Sequence, residues 1–248
     1  MQIEIKRRLS TEVVFSLACE NNSIAITLAV AVSEKADLRN ADLENENFYK
    51  ADLRKADLRN ADLRFANFRK ADLRFADLRN VNLRNADLEN ASFDNVNLRN
   101  ADLENACLKN ADLKNADLRN ANLRNADLRN ADLCNADLEN ACLENANLRN
   151  ADLHTTNLYG ASIVNGVKLV GYRSYFVIGP IGSRKDVLTT FLTEKGVFIR
   201  TGCFFGALEE FKNALQETHG DNTHAREYLA ALVLVEAHYA AWPATVPE

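Results

Sequence analysis

From Ala36 to Asn165 the chain keeps a strict five-residue period. Ala recurs at the first position and Leu, Phe or Ile at the third, as in Ala36-Asp37-Leu38-Arg39-Asn40 and Ala41-Asp42-Leu43-Glu44-Asn45, through to Ala161-Ser162-Ile163-Val164-Asn165. The 26 units run without insertion or deletion, and the Ala position is broken only by Glu46, Val81, Val96 and Thr156. Such a period excludes an α-helix. Five residues advance a helix by about 500°, so successive leucines would step about 140° around it and never form a face. Asn at nearly every fifth position also disfavours helix. Extended backbone fits the first four positions of each unit. Ala and Leu, two apart, share one side, while the second- and fourth-position residues, mostly Asp and Arg, share the other. The fifth residue resets the alternation, so the chain bends there. Asn suits that bend because it tolerates left-handed backbone and bonds to nearby backbone groups.

This tandem A-(D/N)-L-x-x pattern resembles the pentapeptide repeat family over 130 of the 248 residues. The resemblance implies an all-β solenoid, a right-handed quadrilateral β-helix with four repeats per coil. The 26 units would then make six and a half coils, stacked at strand spacing into a rod about 30 Å long. Residues 20 apart would lie above one another, which puts Phe48 on Phe68 with Lys50 and Lys70 beside them.

The ends of such a solenoid expose unpaired strand edges and need covers. Residues 1–35 read as an N-terminal cap: strands over 2–8 and 12–18 form a hairpin, and Ser23 N-caps a helix over about 24–35. Glu46, an acid in an inward position of the first coil, reads as a distorted position meeting this cap. Beyond Asn165 the period stops, and residues 166–248 read as an α+β module. Its strands are predicted at Val167–Val170, Ser174–Ile178, Val187–Thr193 and Gly196–Thr201, with Glu194-Lys195-Gly196 as a turn. Helices follow over 206–218 and 223–240, the second capped by Asp221 or Asn222, with Tyr228, Leu229, Leu232, Val235 and Tyr239 as its buried stripe. The module is similar to C-terminal modules of phage and bacterial pentapeptide-repeat proteins.

Net charge points to no partner. The formal −5 divides as 0, −4 and −1 over residues 1–35, 36–165 and 166–248, whereas a broad nucleic-acid footprint needs a basic excess. The five cysteines (Cys19, Cys107, Cys134, Cys142 and Cys203) are odd in number and form no C-x-x-C pair, which favours a reducing compartment. Lys6-Arg7-Arg8 ahead of Val13–Cys19 has a faint lipoprotein-signal look, but Glu4, Glu12 and Ser10-Thr11 break it up. The apolar run Ile24–Val32 is too short to span a bilayer. The expected location is therefore cytoplasmic.

Four sets of residues could carry chemistry. Arg39, Arg59, Arg79, Arg99 and Arg119, 20 apart, would form one arginine column able to grip phosphates or carboxylates. Asp37, Asp57, Asp77, Asn97 and Asp117 lie two residues from them, so an acidic column runs alongside. Cys203, His219, Asp221 and His224 could be a metal or catalytic cluster, but their spacing lacks the tight pairs of a structural zinc site, and capping and surface roles suit them better. Gly179-Pro180-Ile181-Gly182-Ser183-Arg184-Lys185 could cradle an anion but reads more simply as a β-turn, since it lacks a phosphate-loop pattern. Arg184 and Lys185, with Arg200, His219, Asp221, His224 and Arg226, hold the least repetitive polar chemistry and are the expected binding residues. Cys107, Cys134 and Cys142 fall on three different faces and read as ordinary substitutions.

No catalytic residue, metal or cofactor is assigned. The expected function is that of a non-enzymatic interaction or scaffold protein, a rigid rod presenting its C-terminal module to a protein partner, with a homo-oligomer left open. The alternative comes from the resemblance: quinolone-resistance members of the family mimic DNA and bind DNA gyrase, which requires acidic stripes that persist along the rod.

Overall fold

In the computed structural model, residues 2–18, 20, 23–171, 173–182, 186–202 and 204–242 are described. The chain divides into two compact units, one of residues 1–157 and 161–165, the other of residues 158–160 and 166–248.

In the first unit the five-residue period becomes a backbone hydrogen-bond pattern that repeats every 20 residues. Second-position residues form parallel bridges with those 20 later, from Asp42 with Asp62 through to Cys142 with Ser162. Four pentapeptides therefore make one coil. Almost every backbone N–H in a unit is satisfied. The Leu58 N–H donates to Asp77 O at 2.9 Å, the Asn60 N–H to Arg79 O at 3.0 Å, and the Asp62 N–H back to Ala41 O at 2.9 Å. The Ala61 N–H closes a turn onto Leu58 O at 3.1 Å. The fourth-position N–H, of Arg59, donates to the Asp57 carboxylate at 3.4 Å. Unpaired buried backbone groups are costly, and the pentapeptide leaves almost none.

The turn explains the corner residue. A four-residue turn with positive φ at its third residue favours Gly or Asn there. Every fifth-position residue from Asn40 to Asn150 adopts φ between 55° and 63°. Stacked corner amides also bond to one another: Asn80 donates to Asn60 at 3.1 Å and Asn100 to Asn80 at 3.0 Å. Inside, the Ala and Leu side chains are almost wholly buried, and Phe48 stacks on Phe68 at 4.8 Å between ring centres.

The N-terminal end is covered. Strands β1 (Gln2–Arg7) and β2 (Val13–Ala18) form an antiparallel hairpin, and β1 also pairs with β3 (Ala41–Asp42) on the first coil. Residues Val13–Ala18 of the apolar run with the faint signal-peptide look form strand β2. Helix α1 (Ile24–Ser33) is N-capped by Ser23, whose Oγ accepts the Ile26 N–H at 3.2 Å. Glu46 opens onto β1 in a cavity of about 600 Å³ lined also by Gln2, Glu4, Lys6, Asp42 and Glu44. Burial, helped by the Asp42 charge, pushes its carboxyl above the usual carboxylate range. Strand β4 (Ser162–Val164) ends this unit.

The second unit starts with β5 (Val167–Lys168). An antiparallel sheet follows in the order β6 (Tyr175–Ile181), β7 (Asp186–Thr193), β8 (Gly196–Thr201) and β9 (Phe204–Ala207). Helices α2 (Leu208–His219) and α3 (Thr223–Ala241) complete it. Leu188, Ile199, Phe211, Leu215, Tyr228 and Leu232 form its core. Tyr239 bonds Thr190 across the helix–sheet interface at 2.9 Å. Gly182 (φ +71°) lies against the Tyr228 ring, where a Cβ would come within 2.2 Å of the ring atoms.

Three expectations need correction here. The helix predicted from 206 begins at Leu208, because Phe204–Ala207 pair with β8 as a strand; adjacent aromatics favour that pleated surface. Gly179, Pro180 and Ile181 belong to β6 rather than to a turn. Leu229 leaves the predicted buried stripe and is 49% exposed, because it sits about 100° around the helix from Tyr228.

Candidate interaction surface

The arginine column exists, but its charge is largely pinned. Asp37 receives Nε and Nη2 of Arg39, both at 2.7 Å. Asp57 receives Arg59 at 2.8 and 2.6 Å, and Asp117 receives Arg119 at the same distances. Arg79 forks onto Asp77 at 2.9 and 2.7 Å. Hydrogen bonds from these forks hold Asp37 and Asp57 well below the usual carboxylate range, and they raise the arginines further. A groove of about 400 Å³ runs along the start of the column, lined by Arg7, Arg39, Arg59, Arg79 and Asp37 with corner asparagines. Arg99 differs. Its own unit offers Asn97, whose side chain takes only the Arg99 backbone N–H, and Asp117 above is occupied by Arg119.

The same cancellation runs around the rod by a second rule. At three units with Asn in the second position, the arginine reaches up one coil. Arg69 pairs with Glu89 at 2.6 Å, Arg84 with Glu104 at 2.8 Å and Arg124 with Glu144 at 2.6 Å. The acidic second position also has a structural cause that a reading of outward charge misses. Its carboxylate or amide oxygen accepts the N–H two residues on in unit after unit, as at Asp77, Asn82, Asp87 and Asp102. The signal was legible, because Asp and Asn interchange there while Glu is absent; only the shorter side chains close that local ring. Cys107, Cys134 and Cys142 are free thiols at separate positions of the rod.

In the second unit the expected binding residues scatter. Arg184 and Lys185, together with Cys203, lie outside the described residues. Arg200 sits on β8 between Thr189 and Phe205, and burial pulls its guanidinium pKa down. His219 ends α2 and His224 starts α3. The turn between them brings their rings to 5.8 Å, closer than their spacing suggested. Asn222 rather than Asp221 caps α3, accepting the Ala225 N–H at 3.0 Å. His224 Nδ1 is buried without a hydrogen-bond partner. Among the described residues no group of three or more His, Cys, Asp or Glu is placed to hold a metal ion. Arg226 is exposed on α3.

The outer side of α3 is the surface that sequence reasoning missed. Leu229, Val233 and Leu234 are 49%, 64% and 56% exposed, and Ala230, Ala237 and Ala241 lie exposed among them. A helix apolar all round is normally buried on both sides. Arg226, Glu227 and Glu236 give this stripe a charged border, and Trp242 at its end carries Arg173 over its ring at 4.1 Å. The signal was Leu232-Val233-Leu234-Val235, four consecutive apolar residues that cannot all face one core.

A family model for pentapeptide repeats matches the chain in eight copies, over segments 36–74, 47–85, 76–115, 111–150 and 143–166. The chain belongs to the pentapeptide repeat family. Proteins of this family form a right-handed quadrilateral β-helix and are generally structural or interaction proteins. Among solved structures, the chain is similar to HetL of Nostoc sp. strain PCC 7120, a pentapeptide repeat protein involved in heterocyst differentiation regulation. The two share 30% identity over 51% of this chain and 70% of that one, with a TM-score of 0.37. Rfr23 of Cyanothece 51142 shows 27% identity over 48% and 91% of the two chains, with a TM-score of 0.38. QnrB1, a plasmid-mediated fluoroquinolone resistance protein, shows 15% identity over 50% and 84%, with a TM-score of 0.20. Superpositions this loose carry no argument about function. No curated protein matches the chain, and among the described residues no helix is long and apolar enough to cross a membrane.

Proposed function

We propose that this chain is a non-enzymatic interaction protein of three parts: a cap (1–35), a repeat rod (36–165) and a C-terminal recognition module (166–248). The exposed apolar stripe Leu229, Val233 and Leu234 on α3 carries this reading. Contiguous apolar surface within a charged border is the usual anatomy of a protein-binding patch. Continued by Ala237 and Ala241, the stripe spans about 18 Å of helix at 1.5 Å per residue, a length that suits a groove or helix on a partner protein. The rod supports a spacer role, since its charges are paired locally and its outward acids are used by its own backbone. Arg184, Lys185, Arg200, His219, Asp221, His224 and Arg226 remain the polar residues proposed to border partner contacts.

The test is affinity capture with full-length protein against a Val233→Glu/Leu234→Glu variant, whose changes face solvent and leave the core untouched. Partner recovery should drop at least tenfold in the variant. Equal recovery removes the module from recognition. Sedimentation velocity on the same pair distinguishes a second copy of the chain as the occupant. The rival reading, a DNA mimic acting on gyrase, needs a persistent acidic face, and the Asp–Arg forks and Arg–Glu ladders argue against it. Inhibition of DNA supercoiling at low salt by micromolar protein would restore it.

A further inference from the structure

The corner rule fails at Thr155 and Gly160, where the repeat runs out, and at one cluster inside the rod. Between Asn40 and Asn150 every fifth-position residue is Asn except Lys50, Lys55, Phe65, Lys70 and Phe75, all within the first two coils. All five keep the positive φ of the corner, between 59° and 63°. Asn tolerates that backbone better than Lys or Phe, and it would extend the amide ladders of later coils. The local sequence thus forgoes the residue the corner favours, and between Asn40 and Asn150 does so only here.

These corners make one patch. With 20 residues per coil, Lys50 and Lys70 stack on one edge of the rod. Phe65 lies on the edge before it, and Lys55 and Phe75 stack on the edge after it. The patch covers two adjacent faces. Phe65 and Phe75 are 51% and 54% exposed, and Tyr49, 44% exposed, carries the Lys50 ammonium 5.1 Å from its ring centre. Among the described residues none of the three lysines enters an ion pair, whereas Arg54, Arg69 and Arg74 on the same faces are all paired. The patch therefore keeps positive charge and aromatic surface on a rod that pairs most of its charges elsewhere.

Its height decides what it fits. Two coils span about 10 Å. The next coils return to paired charge, with Asp87 and Glu89 held by Arg69 and Asp102 by Arg84, all within about one Debye length of the patch. A nucleic acid long enough to bind well would run onto this charge-balanced surface and gain nothing from it. A short peptide would not. We infer that the Lys50/Lys55/Lys70 and Phe65/Phe75 patch is a docking surface for a short acidic segment with apolar side chains on a partner protein. It shares no residue with the α3 stripe and does not depend on it.

The test is fluorescence anisotropy of full-length protein with a labelled heptapeptide of alternating Glu and Phe, and with a labelled 20-nucleotide oligothymidylate. Two variants accompany it: Lys50→Asn/Lys70→Asn and Phe65→Asn/Phe75→Asn. Restoring Asn to these corners should leave the melting temperature unchanged or raise it, so lost binding cannot be lost folding. The peptide should bind the wild type with a salt-dependent affinity that falls at least tenfold in each variant, and the oligonucleotide should not displace it. Absence of peptide binding, an affinity within twofold of wild type in either variant, or displacement by the oligonucleotide would overturn the assignment.

Discussion

Replacing Asn80 with Val should cost as much as many core substitutions, although the side chain faces solvent. Asn80 has φ 57° and belongs to an amide ladder, donating to Asn60 at 3.1 Å and accepting from Asn100 at 3.0 Å. A β-branched residue in left-handed backbone costs about 1–2 kcal/mol. Two exposed amide bonds lost add about 0.5 kcal/mol each. The sum, about 2–3 kcal/mol, is far above the roughly 0.5 kcal/mol of an ordinary surface change. The control is Arg79→Val, one residue earlier and outside the positive-φ region; it removes the Asp77 fork but should cost under about 1 kcal/mol, as exposed ion pairs do. Urea unfolding followed by far-ultraviolet circular dichroism reads both as midpoint shifts at constant slope. If the Asn80 variant is no less stable than the Arg79 variant, the corner argument fails.

Phe68→Ala should destabilise the rod by about 3–5 kcal/mol, since Phe68 is fully buried against Phe48, and calorimetry would read the loss. Asp37, Asp52, Asp57, Asp72 and Asp127 have folded pKa values below their unfolded ones, because Arg hydrogen bonds favour the carboxylate. Their stabilisation is therefore complete above the ordinary carboxylate range and is lost as pH falls through and below it, so melting temperature should fall with acid and fall less in Asp57→Asn. His238, stacked on Phe176 at 4.3 Å, is pushed by burial, with the Arg173 charge opposing its protonation, below its ordinary value near 6.5. Above that pH it is neutral folded or unfolded; below it the unfolded chain binds the proton first. The module should thus lose stability as pH falls from about 6.5, and His238→Phe should flatten that dependence in a pH series of thermal melts.

The rod was legible in the sequence because one period fixes the inward residues, the outward residues and the corner at once. Local hydrogen bonding was less so. Asp and Asn at the second position look like outward polar residues until the backbone N–H two residues on is counted. The module carries no period, and its elements had to be read from propensity. Glu194-Lys195 gave the β7–β8 turn correctly, but β9 was hidden because Phe204 and Phe205 continue an apolar pattern into the helix. The α3 stripe was missed by assigning Leu229 to the core with Tyr228, when only every third or fourth residue of a helix can reach the sheet. His219 and His224 come together because Gly220-Asp221-Asn222 folds α3 back beside α2, a tertiary event that spacing alone does not encode.

The most direct test of the account is hydrogen exchange on the full-length chain, alone and with its captured partner. The account locates recognition where the repeat is broken, so protection should rise in α3, over 226–241, and stay unchanged along the later coils, 80–157. Protection running along those coils with none on α3 would contradict it and make the repeat surface itself the binding element.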